Sequence, residues 1–201
     1  MGRFKDWRKE YLEEVVAHPA HPCFNKEDEE ESFNKDVKEH LEIVDEISFR
    51  GVDYEVYENI DPDDHDLFFV SDSEYGYDLS VGYNKDVFGK NQIYHVCKNP
   101  DSDRKGLPSD VYLNYLLPKG GELVSDLTQT TEAFKFWQNL YGKVQKASGV
   151  YFYVMSYEGS EPLYKELESL DDMNTYYGKD NENPFYEDYA FVITNSPREV
   201  E

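Results

Sequence analysis

Two groups of residues carry metal-ligand chemistry. His18, His21 and Cys23 stand as His-x-x-His-x-Cys, and His95 and Cys97 stand two apart. Imidazole and thiolate both suit zinc, and a closed tetrahedral site takes four such ligands. Neither spacing matches a standard zinc knuckle, so the pattern favours a proline-rich loop with surface histidines and a buried Cys97, with no metal. Ser125, Asp126 and His95 supply the side-chain types of a hydrolytic triad, but no Gly-x-Ser-x-Gly turn presents the serine. Asp61–Asp66 is dense in carboxylates yet lacks the spaced ligands and glycine of a calcium loop. A solvated turn is expected there.

The stronger chemical signal is the carboxylate excess. The chain has 201 residues, with 43 Asp+Glu against 20 Lys+Arg and a formal charge of −23. That charge excludes binding nucleic acid by neutralising phosphates and disfavours an anionic membrane surface. Glu27, Asp28, Glu29, Glu30, Glu31, Asp36, Glu39, Glu42, Asp45 and Glu46 crowd one stretch. On a helix, acids three or four apart lie about 5–6 Å from one another. That is comparable with DNA, where phosphates recur every 3.4 Å or so of axial rise along a strand. Such an array suits a basic cleft built for nucleic acid. A net charge of about 2–8 is enough to keep a small domain in solution, so solubility alone does not account for the excess.

The elements that would position these groups follow from periodicity. Apolar residues at three- and four-residue spacing predict a helix over 3–17 and a second over 29–46, broken between by His18-Pro19-Ala20-His21-Pro22. Residues 1–46 then form a helical extension and residues 47–201 an α+β domain. Phe49–Tyr57 (irregular at Gly51), Leu67–Val70, Tyr77–Tyr83 and Gln92–Cys97 read as strands. Val111–Leu117 reads as a buried strand ended by Pro118-Lys119-Gly120-Gly121. Asp126 with Gln129, or Thr130 or Thr131, is placed to cap a helix carrying Ala133, Phe136, Trp137, Leu140 and Val144, closed by Gly149. Val150–Tyr157 is a strand, Glu161–Leu170 a short helix with Pro162 in its first turn, and Tyr189–Thr194 a last strand. Tyr151, Tyr153 and Tyr157 read as packing residues of their strand. The expected fold is a mixed, mostly antiparallel sheet with a β-α-β-α-β C-terminal half.

This order over Leu67–Thr194 resembles the GCN5-related N-acetyltransferase fold. Met173-Asn174-Thr175-Tyr176-Tyr177-Gly178 is similar to the aromatic segment that places a tyrosine near the acetyl-CoA thiol in that family. The resemblance implies Tyr177, or else Tyr176, as general acid, and Lys119, Gly120 and Gly121 at the pyrophosphate of acetyl-CoA. The family's Gln/Arg-x-x-Gly-x-Gly/Ala pattern is absent here. Glu122 and Asp126 stand beside the two glycines, and at about 4–6 Å and an effective dielectric near 20 each would repel a pyrophosphate by a few kcal/mol.

The first expectation is therefore a non-enzymatic acidic protein, of the kind a bacteriophage encodes to inhibit a host factor by DNA mimicry. Its partner would be a basic, nucleic-acid-handling protein, and it would need no cofactor. Richness in Tyr (18) and Phe (12) fits AT-rich coding. A cytoplasmic location is expected, since no apolar leader or spanning segment stands out. The alternative is an acetyl-CoA-dependent N-acetyltransferase.

Overall fold

The computed structural model describes residues 41–60, 65–71, 76–86, 88–99, 102, 104–127, 129–157, 161–177 and 188–200. The expected helix over 3–17, most of the second helix, and Glu27, Asp28, Glu29, Glu30, Glu31, Asp36 and Glu39 lie outside the described residues.

The described fold is α+β. Nine strands form one sheet: β1 (Glu42–Phe49), β2 (Val52–Ile60), β3 (His65–Val70), β4 (Leu79–Lys85), β5 (Asn91–Lys98), β6 (Glu122–Ser125), β7 (Tyr151–Ser156), β8 (Leu163–Glu166) and β9 (Tyr189–Thr194). Their order is β1-β2-β3-β4-β5-β6-β9-β7-β8. The β5–β6 pair is parallel and the other pairs are antiparallel. The described helices are α1 (Leu107–Val111), a π-helical turn (Tyr112–Leu116), α2 (Leu117–Gly120), α3 (Thr131–Val144) and α4 (Met173–Tyr176).

Alternation on the strands sends one set of side chains under these helices. Tyr54, Val56, Leu67, Phe69, Leu79 and Val81 join Val111, Tyr112, Trp137, Leu140 and Phe191 in a single buried cluster. Each such large side chain stabilises the fold by about 1.5–3 kcal/mol when fully buried. α3 starts at Thr130, whose hydroxyl accepts from the Ala133 N–H at 3.2 Å. The Asp126–Gln129 capping alternative does not form, because Gln129 donates instead to Ser125 Oγ and the Asp126 carbonyl.

Four expectations need correction. Val111–Leu117 is helical, not a strand. Leu107, Val111, Tyr112, Tyr115 and Leu116 all face inward, Pro108 sits in the first turn, and left-handed Gly121 closes the segment. Helix punctuation therefore overrides an apolar run that periodicity alone leaves ambiguous. Within Glu161–Leu170, Leu163–Glu166 is strand β8, because only Tyr164 turns inward while its neighbours stay exposed. Glu42–Glu46 belongs to β1 rather than to a helix reaching residue 46. A bulge at Val44, between the Ile43–Tyr57 and Asp45–Val56 pairs, breaks strict alternation and leaves a helix-like spacing. Gly51 does not mark an irregularity inside one strand; the chain reverses there. Phe49 pairs with Val52 around Arg50 and Gly51, both at positive φ, as a two-residue hairpin requires. The element order that carried the acetyltransferase resemblance thus differs at two places.

Candidate functional site

The acids meet at the β1–β2 edge of the sheet. Glu42 lies opposite Glu58, and Glu46 opposite Glu55. Asp53, Glu55 and Glu46 are exposed. Like charges directly across a ladder destabilise it, so the sequence sustains two unfavourable pairs in one hairpin. Alternation divides these carboxylates between the two faces: Glu46, Asp53 and Glu55 share one, and Glu42 and Glu58 lie on the other with Tyr54 and Val56. Between Glu42 and Asn84 the sequence contains thirteen Asp and Glu and one Lys or Arg, Arg50. That one cation is already engaged. Arg50 Nε lies 2.6 Å from Asp110 Oδ2, its Nη2 donates to Asp110 Oδ1 at 3.0 Å, and its Nη1 donates to the Lys105 carbonyl.

Beside this edge is an open cleft of 480 Å³, lined by Ile47, Ser48, Phe49, Arg50, Asp110, Asn114 and Tyr115. Its far wall is the π-helical turn. Such turns widen a helix locally and recur at functional sites. Arg50 has φ +53°, a left-handed backbone that costs a non-glycine residue energy, and the Asp110 clamp holds it there.

Asp45 is paired within the fold. Its Oδ2 lies 2.6 Å from Lys119 Nζ, and Lys119 also sits 4.0 Å over the Tyr115 ring. The Lys119 hydrogen bond holds the Asp45 carboxyl below its ordinary value. Burial opposes the charge on Lys119, but Asp45 and Tyr115 outweigh it and raise its pKa. Nearby, Tyr83 donates to Glu58 Oε1 at 3.2 Å and stacks on His65. Burial and the Glu58 carboxylate push Tyr83 up to about 12.

The residues that the acetyltransferase resemblance singled out are occupied structurally. Gly120 ends α2, and a Cβ there would come within 2.7 Å of Asn91 Nδ2. Gly121 takes φ +72°, and its N–H bonds to the Leu117 carbonyl. These glycines finish a helix, where carbonyls give the end a partial negative charge. An anion cradle needs a helix start. Tyr177 stacks on Phe134 with ring centroids 3.9 Å apart, and its neighbour Tyr176 accepts from Lys165 Nζ. Glu122 is buried and held by Lys90 and Arg198, at 2.5 and 2.7 Å.

The other candidates resolve similarly. Ser125 is fully buried; its Oγ donates to the Asp126 carbonyl and accepts from Phe191 N–H and Gln129. His95 lies 3.8 Å from Asp66, not at Ser125. Cys97 is disulfide-bonded, not a free buried thiol. His18, His21 and Cys23 lie outside the described residues, and among the described residues no cluster of His, Cys, Asp or Glu is placed to hold a metal. No described helix is long and apolar enough to cross a membrane.

Sequence reasoning named Glu42, Asp45 and Glu46 but passed over Asp53, Glu55 and Glu58. The signal was available: in Val52–Ile60 the acids alternate with Tyr54 and Val56, which puts Asp53 and Glu55 on one face. Comparison with protein-family models, curated proteins and solved structures returns no significant match.

Proposed function

We propose that this chain is a non-enzymatic interaction protein that lays its acidic β1–β2 edge on a basic, nucleic-acid-handling partner and so competes with nucleic acid. The observation that carries this reading is the pair of cross-strand glutamate oppositions, Glu42 with Glu58 and Glu46 with Glu55. A hairpin gains nothing internally from them, whereas a cationic partner relieves the repulsion of the pair on the face it meets, Glu46 and Glu55 on one side of the sheet or Glu42 and Glu58 on the other. The reading fits an inhibitor of the bacteriophage type. Glu42 and Glu46 are its contact acids within the described part of the 27–46 run, joined by Asp53 and Glu55. Asp45 serves instead to hold Lys119.

The test is competition. Purified chain is titrated into defined polymerases, nucleases and restriction complexes bound to duplex DNA, at several salt concentrations. Displacement of DNA that weakens steeply with salt supports the reading; displacement indifferent to salt, or none, removes it. The acetyl-CoA alternative, with Tyr177 as acid and Lys119, Gly120 and Gly121 at the pyrophosphate, has less support, since those groups are engaged in packing, an ion pair and a helix end. Calorimetry with acetyl-CoA tests it separately.

A further inference from the structure

We infer that the outer edge of β1 accepts an extended basic segment of the partner as a tenth strand. This builds on the docking reading above and names the form of the partner's contact.

β1 is the eight-residue terminal strand of the sheet. Among the described residues no strand pairs with its outer side. An edge strand presents a row of unpaired N–H and C=O groups, and an added strand satisfies them. The opposite edge is built differently. β8 has four residues, and its outer side meets Val200 in a parallel bridge to Tyr164. Arg198 pins that tail, through Nη2 to Glu122 Oε2 at 2.7 Å and through its N–H to Tyr153 Oη at 3.2 Å. One edge is short and covered; the other is long and, among the described residues, unpaired.

The side chains of β1 select the occupant. Ile43 and Val44 are 48% and 45% exposed, flanked by exposed Glu42 and Glu46. A second copy of the chain is a poor fit, because an antiparallel two-fold pairing centred near the middle of β1 sets Asp45 opposite Asp45 or Glu46 opposite Glu46. Like charges in that position repel. A segment alternating lysine or arginine with β-branched residues fits both features: its cations meet Glu42 on one face of the strand, and its apolar residues cover Ile43 on the other. The acids thus guard the edge against self-association while leaving it open to a cationic strand.

The probe is an acetylated, amidated eight-residue peptide alternating Lys and Val. Two controls accompany it: one with Glu in place of Lys, and one N-methylated at every backbone nitrogen. The full chain is followed by amide hydrogen exchange. The expected result is at least tenfold slower exchange for β1 amides with the Lys-Val peptide, and no change with either control. Equal binding of the N-methylated peptide overturns strand addition while leaving the acidic docking surface standing. β1 amides already protected in the chain alone, or a dimer by light scattering, also overturn it, because the edge is then occupied. Failure of both lysine peptides at low salt removes strand addition and the acidic edge together.

Discussion

Glu46 on β1 stands directly opposite Glu55 on β2. The hairpin therefore holds two exposed carboxylates in the cross-strand position where unlike charges would stabilise it. Replacing Glu46 by Lys should convert repulsion to attraction and raise stability by about 0.2–1 kcal/mol. Urea denaturation checks this through a higher midpoint at unchanged slope. The same variant should bind the basic partner more weakly. A gain in stability with a loss of binding marks a surface kept for recognition; a fall in stability would show that the glutamates serve the fold.

Arg50 tests the turn that holds the edge. Its left-handed backbone and its clamp on Asp110 act in opposite directions. Arg50→Ala loses the clamp and keeps the strain, whereas Arg50→Gly loses the clamp and relieves it. Glycine should be the more stable variant by about 1 kcal/mol. Equal stability of the two would mean that the turn relaxes away from positive φ.

Glu122 tests the far side of the sheet. It is 6% exposed and joins Lys90, Arg198 and the Tyr164 hydroxyl. Glu122→Gln leaves two cations facing a neutral amide. Breaking a buried pair costs about 3–5 kcal/mol, and the partly exposed Arg198 places this site at the lower end. Limited proteolysis should then cut near Arg198 before the rest of the chain unfolds. Unchanged protection of the tail would show that the Val200 bridge alone holds it.

Tyrosines set the alkaline limit. Burial first, and then the carboxylates of Glu55 and Glu58, push Tyr57 and Tyr83 up to about 12 from an ordinary value of 10.0. Tyr157 moves further in the same direction, through burial and Asp86. Between the two values the unfolded chain has released protons that the folded chain still binds, so stability falls as pH rises. The contribution is complete below pH 10 and is lost on passing through about 12. An absorbance titration should show a fraction of the eighteen tyrosines ionising late, with unfolding. All eighteen ionising together near the ordinary value would contradict the packing described. Asp45 acts at the acid end: its lowered pKa supports the fold above the ordinary carboxylate value, and that support is lost as pH falls through the lowered one.

Much of the sheet was legible in the sequence. Tyr189–Thr194 and Val150–Tyr157 are continuous apolar runs of strand length, and Trp137, Leu140 and Val144 repeat on one helical face. Val111–Leu117 misleads because an apolar run interrupted only at Asn114 shows no clear period, and the deciding marks, Pro108 and Gly121, lie outside it. Glu42–Glu46 misleads because the Val44 bulge shifts the alternation by one residue. The acidic edge was half legible. The carboxylate excess is a matter of counting, but Glu55 joins Glu46 only through the strand register, which long-range pairing sets.

The most direct measurement is the salt dependence of binding to a DNA-handling partner, made for the native chain and for a variant with Glu42, Glu46 and Glu55 all changed to Gln. A sloped plot of log affinity against log salt is expected for the native chain, with a shallower slope and weaker binding for the variant. Coincident plots for the two proteins, or a flat line for the native chain, would contradict an acidic β1–β2 edge as the docking surface.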